Sequence, residues 1–209
     1  MTYRTLATGL LAFAFAISEA RADDADDKSN KSAFALGFIP GIRAGGVWAG
    51  VSDAKGATAG QSGWGLELDG TALVVFPGDI FAIGLTAGFT DAYLKSDNGA
   101  KGGDLSYSGL NLSPALMVGL GRFGLAARVG YMVTWLQPGT ASVTADSIRF
   151  GASASFVFLR NYGGDVAVTV DVFRTQASSV DFGTYKGDFG ATTAMLGFTF
   201  SFDANALTL

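Results

Sequence analysis

The sequence predicts an all-β fold, a closed eight-stranded antiparallel up-and-down β-barrel that crosses a membrane. Three observations carry that expectation. Apolar residues alternate with small or polar ones in eight separate runs. The chain is apolar overall yet holds no apolar run of about 18 residues, the length a spanning helix needs. It also opens with an export signal. Of its 209 residues, 49% are apolar and only 15% charged, against roughly 25% charged in an ordinary soluble domain. Thirty glycines and seventeen phenylalanines suit strands and turns better than helices.

The N-terminus sets the compartment. Arg4 precedes an apolar stretch over 6–17, and Ala20 and Ala22 supply the small residues a signal peptidase reads. Residues 1–22 are therefore expected to be a cleaved secretory signal peptide. Cleavage removes Arg4, Glu19 and Arg21 and takes the net charge from −4 to −5. Residues 23–32 then form a polar leader, 33–202 the barrel and 203–209 a short tail.

The strands follow from a period of two. In the first run Phe38, Ile42, Ala44 and Trp48 share a face against Gly41, Arg43 and Gly45. In the second, Trp64, Leu66, Leu68, Ala72, Val74 and Phe76 oppose Gly65, Glu67, Asp69 and Thr71. The third sets Phe81, Ile83, Leu85, Ala87 and Phe89 against Ala82, Gly84, Thr86 and Gly88. The fourth sets Leu110, Leu112, Leu116, Val118 and Leu120 against Asn111, Ser113 and Gly119.

The second half repeats the pattern. Phe123, Leu125, Val129, Tyr131, Val133 and Trp135 oppose Gly124, Arg128, Gly130 and Thr134. Ile148, Phe150, Ala152, Ala154, Phe156 and Phe158 oppose Ser147, Arg149, Gly151, Ser153 and Ser155. Val166, Val168, Val170 and Val172 oppose Asp165, Thr169 and Asp171; Ala194, Leu196, Phe198, Phe200 and Phe202 oppose Thr193, Gly197, Thr199 and Ser201.

The large apolar face belongs outside. A soluble sandwich would carry Lys, Glu and Asp on its second face, and the second face here is too poor in charge. Lipid outside and a tight polar interior fit, with about 9–11 residues per crossing. Lipid leaves no water for unpaired backbone groups, so the sheet must close. The links agree. Those at 76–79, 121–122 and 159–164 are short; those at 50–62, 92–104, 136–146 and 175–188 are longer and polar. Short turns on the periplasmic side and four extracellular loops are the expected arrangement. Trp48, Trp64 and Trp135 then gather at the outer strand ends. Phe38, Phe76, Phe81, Phe123, Phe158 and Phe202 gather at the inner ends, giving two aromatic girdles. Pro114 lacks a ladder donor, so a bulge or a shortened pairing is expected near it; Pro40 sits near a strand start.

The chemistry is restricted by what is missing. Without histidine and cysteine the usual general base, the common metal ligands and the thiolate nucleophile are all absent. No enzyme activity, cofactor or metal is expected. The glycines at 119, 121 and 124 lie between two strands, which makes them a tight hairpin rather than a dinucleotide loop. The sequence Asp97-Asn98-Gly99 reads as an exposed turn. The acidic balance argues against nucleic acid. The informative charges are on the inward face: Arg43, Glu67, Asp69, Arg128, Arg149 and Asp171. Eight strands leave just room for side chains to fill the interior, so these six are expected to pair as a charge network that plugs the lumen. The alternative is a charged constriction along a narrow pore.

With these elements in place the chain resembles the small eight-stranded outer-membrane barrels of the OmpA transmembrane-domain and OmpX/Ail type. The resemblance spans nearly the whole mature chain and rests on strand count, link asymmetry and the last strand. Gly197, Phe200 and Phe202 resemble the C-terminal assembly signal of such barrels, although Met195 replaces a polar residue and residues 203–209 follow. The resemblance implies insertion into the bacterial outer membrane by the barrel-assembly machinery, among lipopolysaccharide and other outer-membrane lipid, as a monomer. It implies a structural or surface-interaction role. A narrow pore for small solutes is one alternative reading, and a soluble periplasmic lipocalin-like carrier is another.

Overall fold

The computed structural model describes residues 35–53, 58–76, 80–96, 104–138, 142–161, 164–181 and 186–203. The expected signal peptide and polar leader lie outside the described residues, as does residue 204 onward of the expected tail. Asp203 is the last residue of the final strand.

Eight strands follow in order: β1 (Ala35–Asp53), β2 (Thr58–Val75), β3 (Phe81–Ser96), β4 (Leu105–Leu120), β5 (Phe123–Pro138), β6 (Val143–Asn161), β7 (Gly164–Asp181) and β8 (Lys186–Asp203). Each pairs antiparallel with the next, and β1 closes on β8 to complete the barrel. No strand is left as an edge, so the backbone can shed water along its whole length.

The alternation decides which face goes where. Ile42, Leu66, Leu85, Leu116, Val129, Phe150, Val172 and Leu196 are all exposed on the outer wall. Their neighbours in sequence, among them Arg43, Glu67, Thr86, Arg149, Asp171 and Thr193, are buried in the lumen. The result is a continuous apolar belt around the barrel. A soluble protein rarely exposes an apolar patch beyond a few hundred Å², whereas a lipid-facing wall consists of one.

The strands run further than the apolar alternation suggests. The expected long links at 50–62, 92–104, 136–146 and 175–188 are largely strand, and β1 pairs with β2 from Ser52↔Thr58 downwards. The reason is an inversion of polarity. Beyond the belt the outward positions become polar, as at Asp91, Lys95, Gln137, Asp146, Gln176 and Asp188. The inward positions become large and apolar there: Leu94, Leu105, Tyr107, Met132, Leu136 and Phe189 form a buried core. The period of two persists while its sign reverses, so a search for an apolar outer face stops too early. The expected 159–164 link is shorter as well, since β6 ends at Asn161 and β7 starts at Gly164.

Pro40 and Pro114 both lie inside strands. Pro114 is exposed and keeps register with Leu85 of β3. Pairing of β4 with β5 skips Ser113 and Pro114 and resumes at Ala115↔Arg128 in the same register as Leu112↔Tyr131. The expected bulge and shortened strand are thus corrected to a gap in one ladder, because a missing N–H affects only the neighbour it would have faced. Pro40 repeats this: β1 stays paired to Gly70 of β2 while its ladder to β8 skips from Phe38 to Gly41. True register shifts occur in β6 between Val157 and Leu159, and in β7 between Ala177 and Val180, where Ser179 has φ 57°. The β4–β5 turn is Gly121 and Arg122, with Gly121 at φ 66°, a backbone state open to glycine at little cost.

Candidate functional site

The six inward charges come from β1, β2, β5, β6 and β7 and meet in one layer across the lumen. Arg43 is its centre. Its Nη1 lies 2.7 Å from Asp69 Oδ1 and 4.0 Å from Glu67 Oε1, and its Nε pairs with Asp171 Oδ2. Asp69 is shared: its other oxygen is 2.7 Å from Arg128 Nη1. Glu67 is shared too, pairing with Arg149 Nη2. In an eight-stranded ring β1 and β2 stand opposite β5 and β6, so the Asp69–Arg128 and Glu67–Arg149 contacts span the barrel, whereas Arg43 meets Glu67 and Asp69 on the adjacent strand and Asp171 two strands away.

Neutral groups complete the layer. Arg149 Nη1 donates to Thr90 Oγ1 at 2.9 Å, and Thr90 donates to Glu67 Oε2 at 3.2 Å. Phe173 presents its ring to both cations, with Arg149 4.3 Å and Arg128 5.5 Å from its centroid. This aromatic was not anticipated, although its parity with Asp171 places it inward. Gly197 has a local reason for being glycine. A Cβ there would overlap the Ile42 carbonyl oxygen and come within 2.8 Å of Arg43 Cγ. The strand passes beside the central arginine only without a side chain.

Three cations and three anions at almost no exposure make a neutral, cross-braced plate. Charges taken out of water are costly, and the cost is recovered only by close mutual pairing and hydrogen bonds. Directly above the plate, toward the long-link end, sits the apolar core. Tyr107 stacks on Phe189 with centroids 5.4 Å apart and donates to Thr175 Oγ1 at 3.1 Å. The lumen is therefore filled twice, by ions and then by apolar side chains.

The other sequence-predicted residues fall on the outer wall. Trp48 and Trp64 are strongly exposed and Trp135 is half-exposed, all toward the long-link end. Phe81, Phe123, Phe158 and Phe202 are exposed near the short-turn end; Phe38 and Phe76 are half-exposed. Phe123 packs on Phe156 at 5.0 Å. Phe200 and Phe202 face outward on β8. Two tyrosines join the tryptophan level: Tyr93 donates to Asp104 at 2.5 Å and Tyr131 donates to Asp146. No signal short of the full strand extent would have paired them.

No family model matches the chain, and no curated protein matches it. Solved structures do. Neisserial surface protein A is 11% identical with a TM-score of 0.50; the match covers 78% of this chain and 95% of that one. Ail, the attachment invasion locus protein of Yersinia pestis, is 17% identical with a TM-score of 0.43, covering 78% and 98%. The outer membrane protein OprG of Pseudomonas aeruginosa is 17% identical with a TM-score of 0.41, covering 81% and 97%. The molecule is an all-β, closed, eight-stranded antiparallel barrel with the fold of the small outer-membrane barrels. Within that class it is a barrel with a buried charge network in its lumen.

Proposed function

We propose that this protein is a sealed, non-enzymatic barrel of the bacterial outer membrane whose work is done by its outer surface. The observation that supports this best is the double filling of the lumen, a paired ion plate beneath an apolar core. A conduit needs continuous water, and neither layer leaves a file of it. In this reading the long-link end faces outward, the tryptophans and phenylalanines mark the two lipid interfaces, and the chain arrives by a cleaved signal peptide. Gly197, Phe200 and Phe202 present the last strand to the barrel-assembly machinery, and the protein stands as a monomer.

The surface offered outside is a strand-built collar rather than a set of long loops. Its wall across β7, β8 and β1 holds a polar groove of about 550 Å³ beside Trp48, Arg174, Gln176 and Asp188. The Arg174 guanidinium lies over Gly190 and donates to Thr192 at 2.8 Å. An aromatic face with planar hydrogen-bonding groups at the lipid boundary suits the sugars of neighbouring lipopolysaccharide. The chain has neither histidine nor cysteine, and each lumenal carboxylate, Glu67, Asp69 and Asp171, is held by an arginine rather than left free to act as a base.

The test combines two assays on one preparation. Unboiled protein from outer-membrane fractions should run faster on a denaturing gel than boiled protein, and the same protein in planar bilayers should give no current steps. Regular single-channel steps would replace this reading with the narrow pore. A band that stays soluble without detergent would replace it with the lipocalin-like carrier.

A further inference from the structure

The polar groove on the outer wall is laid out in rows by the register of β7, β8 and β1. Its lowest row is Arg174, Thr192 and Trp48, paired directly across the three strands. The next row is Gln176, Gly190 and Gly50. Above the two glycines come Asp188 and Ser52, which also face each other. All of these residues line the groove. Each row stands about 7 Å further along the strands, two residues at roughly 3.4 Å each.

The paired glycines leave a floor of bare backbone, and the Arg174 guanidinium lies over it. Its Nη1 donates to Thr192 at 2.8 Å, and a Cβ on Gly190 would come within 2.7 Å of its Nη2. The cation is thus held over the middle row, one row below the Asp188 carboxylate. Asp188 Oδ1 accepts from the Ser179 amide at 2.9 Å, and Oδ2 takes no hydrogen bond among the described residues. No ion pair joins Arg174 to Asp188 or to another carboxylate among the described residues. An exposed cation and an exposed anion therefore face one groove without touching. Trp48, 53% exposed, walls its lower end.

That pattern selects among ligands. A bare phosphate would pair with Arg174 but meet Asp188 as a like charge. An uncharged sugar would leave both charges unanswered. A group carrying an anion and a cation two carbons apart answers both. The glycine floor also lies beyond Trp48, on the water side of the tryptophan level, where sugar stands rather than the headgroup of a glycerolipid. We propose that the groove binds a phosphoethanolamine group carried on a sugar of neighbouring lipopolysaccharide. The phosphate accepts from the Arg174 guanidinium, the ammonium donates to Asp188 Oδ2, and the sugar lies against Trp48. This rests on the outer-surface reading above and names what that surface holds.

The experiment uses the mature chain in phosphatidylglycerol nanodiscs assembled with rising fractions of one further lipid. The three probes are lipopolysaccharide bearing phosphoethanolamine, the same lipopolysaccharide without it, and phosphatidylethanolamine. Backbone amide NMR of Gly50, Ser52 and Gly190 is the readout. The expected result is a saturable shift with the decorated lipopolysaccharide and about fivefold weaker binding of the undecorated one. Asp188→Asn keeps an acceptor for the Ser179 amide and should abolish that preference, whereas Arg174→Gln should weaken binding of both forms. The spectrum of each variant reports whether the barrel is folded. Equal binding of the two lipopolysaccharides, or a preference that survives Asp188→Asn, would overturn the proposal and leave the outer-surface reading standing. Phosphatidylethanolamine binding as tightly as the decorated lipopolysaccharide would overturn the lipopolysaccharide source. No saturable shift with any of the three would overturn both the proposal and the lipopolysaccharide reading of this surface.

Discussion

The belt and the collar of this barrel are built from the same eight strands with opposite polarity. In the belt Leu85 points to lipid and Thr86 to the lumen; a few residues on, Asp91 points outward and Ala92 and Leu94 point in. The change happens within β3 without a break in its pairing to β2 or β4. Backbone pairing is thus indifferent to which face is apolar, and the solvent on each side decides. Lipid selects apolar side chains outside and leaves the narrow lumen to polar groups that pair with one another. Water above the lipid selects the reverse and gives the collar an ordinary hydrophobic core. The two regions also differ in how they resist disruption. The belt interior depends on complete charge pairing, the collar interior on close packing.

The largest effect should come from the ion plate. Arg43→Met removes the cation that Asp69, Asp171 and Glu67 face, leaving buried carboxylates short of a partner. It should cost about 3–5 kcal/mol in urea unfolding of the barrel in lipid vesicles. Replacing Glu67 and Arg149 together by methionine should cost clearly less than the sum of the two single changes. Additive losses would mean that the pair is not coupled.

In the collar, Leu136→Ala should cost about 2–5 kcal/mol by opening a cavity in a fully buried site. If that loss is absent, the collar does not fold as one unit with the belt. The outer walls give a sharper contrast. Leu85→Arg should cost about 2–4 kcal/mol if that position lies near mid-bilayer, whereas Gln137→Arg should change stability by less than about 0.5 kcal/mol. Similar costs at both positions would erase the boundary between the two regions.

The parity of single residues carried most of this structure in advance. Arg43, Glu67, Asp69, Arg128, Arg149 and Asp171 each sit one place from an outward apolar residue, and closure of eight strands brings them within reach of one another. The collar was not legible, because a search for apolar outer faces loses the pattern at Asp91, Gln137 and Asp188. Phe173 was hidden for a related reason: an aromatic on the inward parity runs against the rule that holds elsewhere in β7. The behaviour of Pro40 and Pro114 depends on which neighbour the missing N–H would have faced. That is a property of register, and sequence alone does not fix register.

The smallest effect belongs to the rim. Asp104 accepts from the Tyr93 hydroxyl and, at 3.4 Å, from the Ser96 amide. These bonds, that of Tyr93 first, hold its carboxyl below the ordinary carboxylate range. Their contribution is present above that range and is lost as pH falls through the lowered value. Exchange of the Ser96 amide, relative to its intrinsic rate, should therefore accelerate at low pH. In Asp104→Asn that relative rate should lose its dependence on pH.

The chain contains no cysteine, so single cysteines can be introduced along β3 without background. Leu85→Cys, Asp91→Cys and Leu94→Cys, treated in intact outer membranes with a water-soluble maleimide and separately with a lipid-phase quencher of an attached probe, test the inversion directly. Aqueous labelling is expected at residue 91 alone, lipid contact at residue 85 alone, and neither at residue 94. Aqueous labelling at residue 94 or at residue 85 would contradict the inversion, by showing a wet lumen in the first case and a wall that does not face lipid in the second.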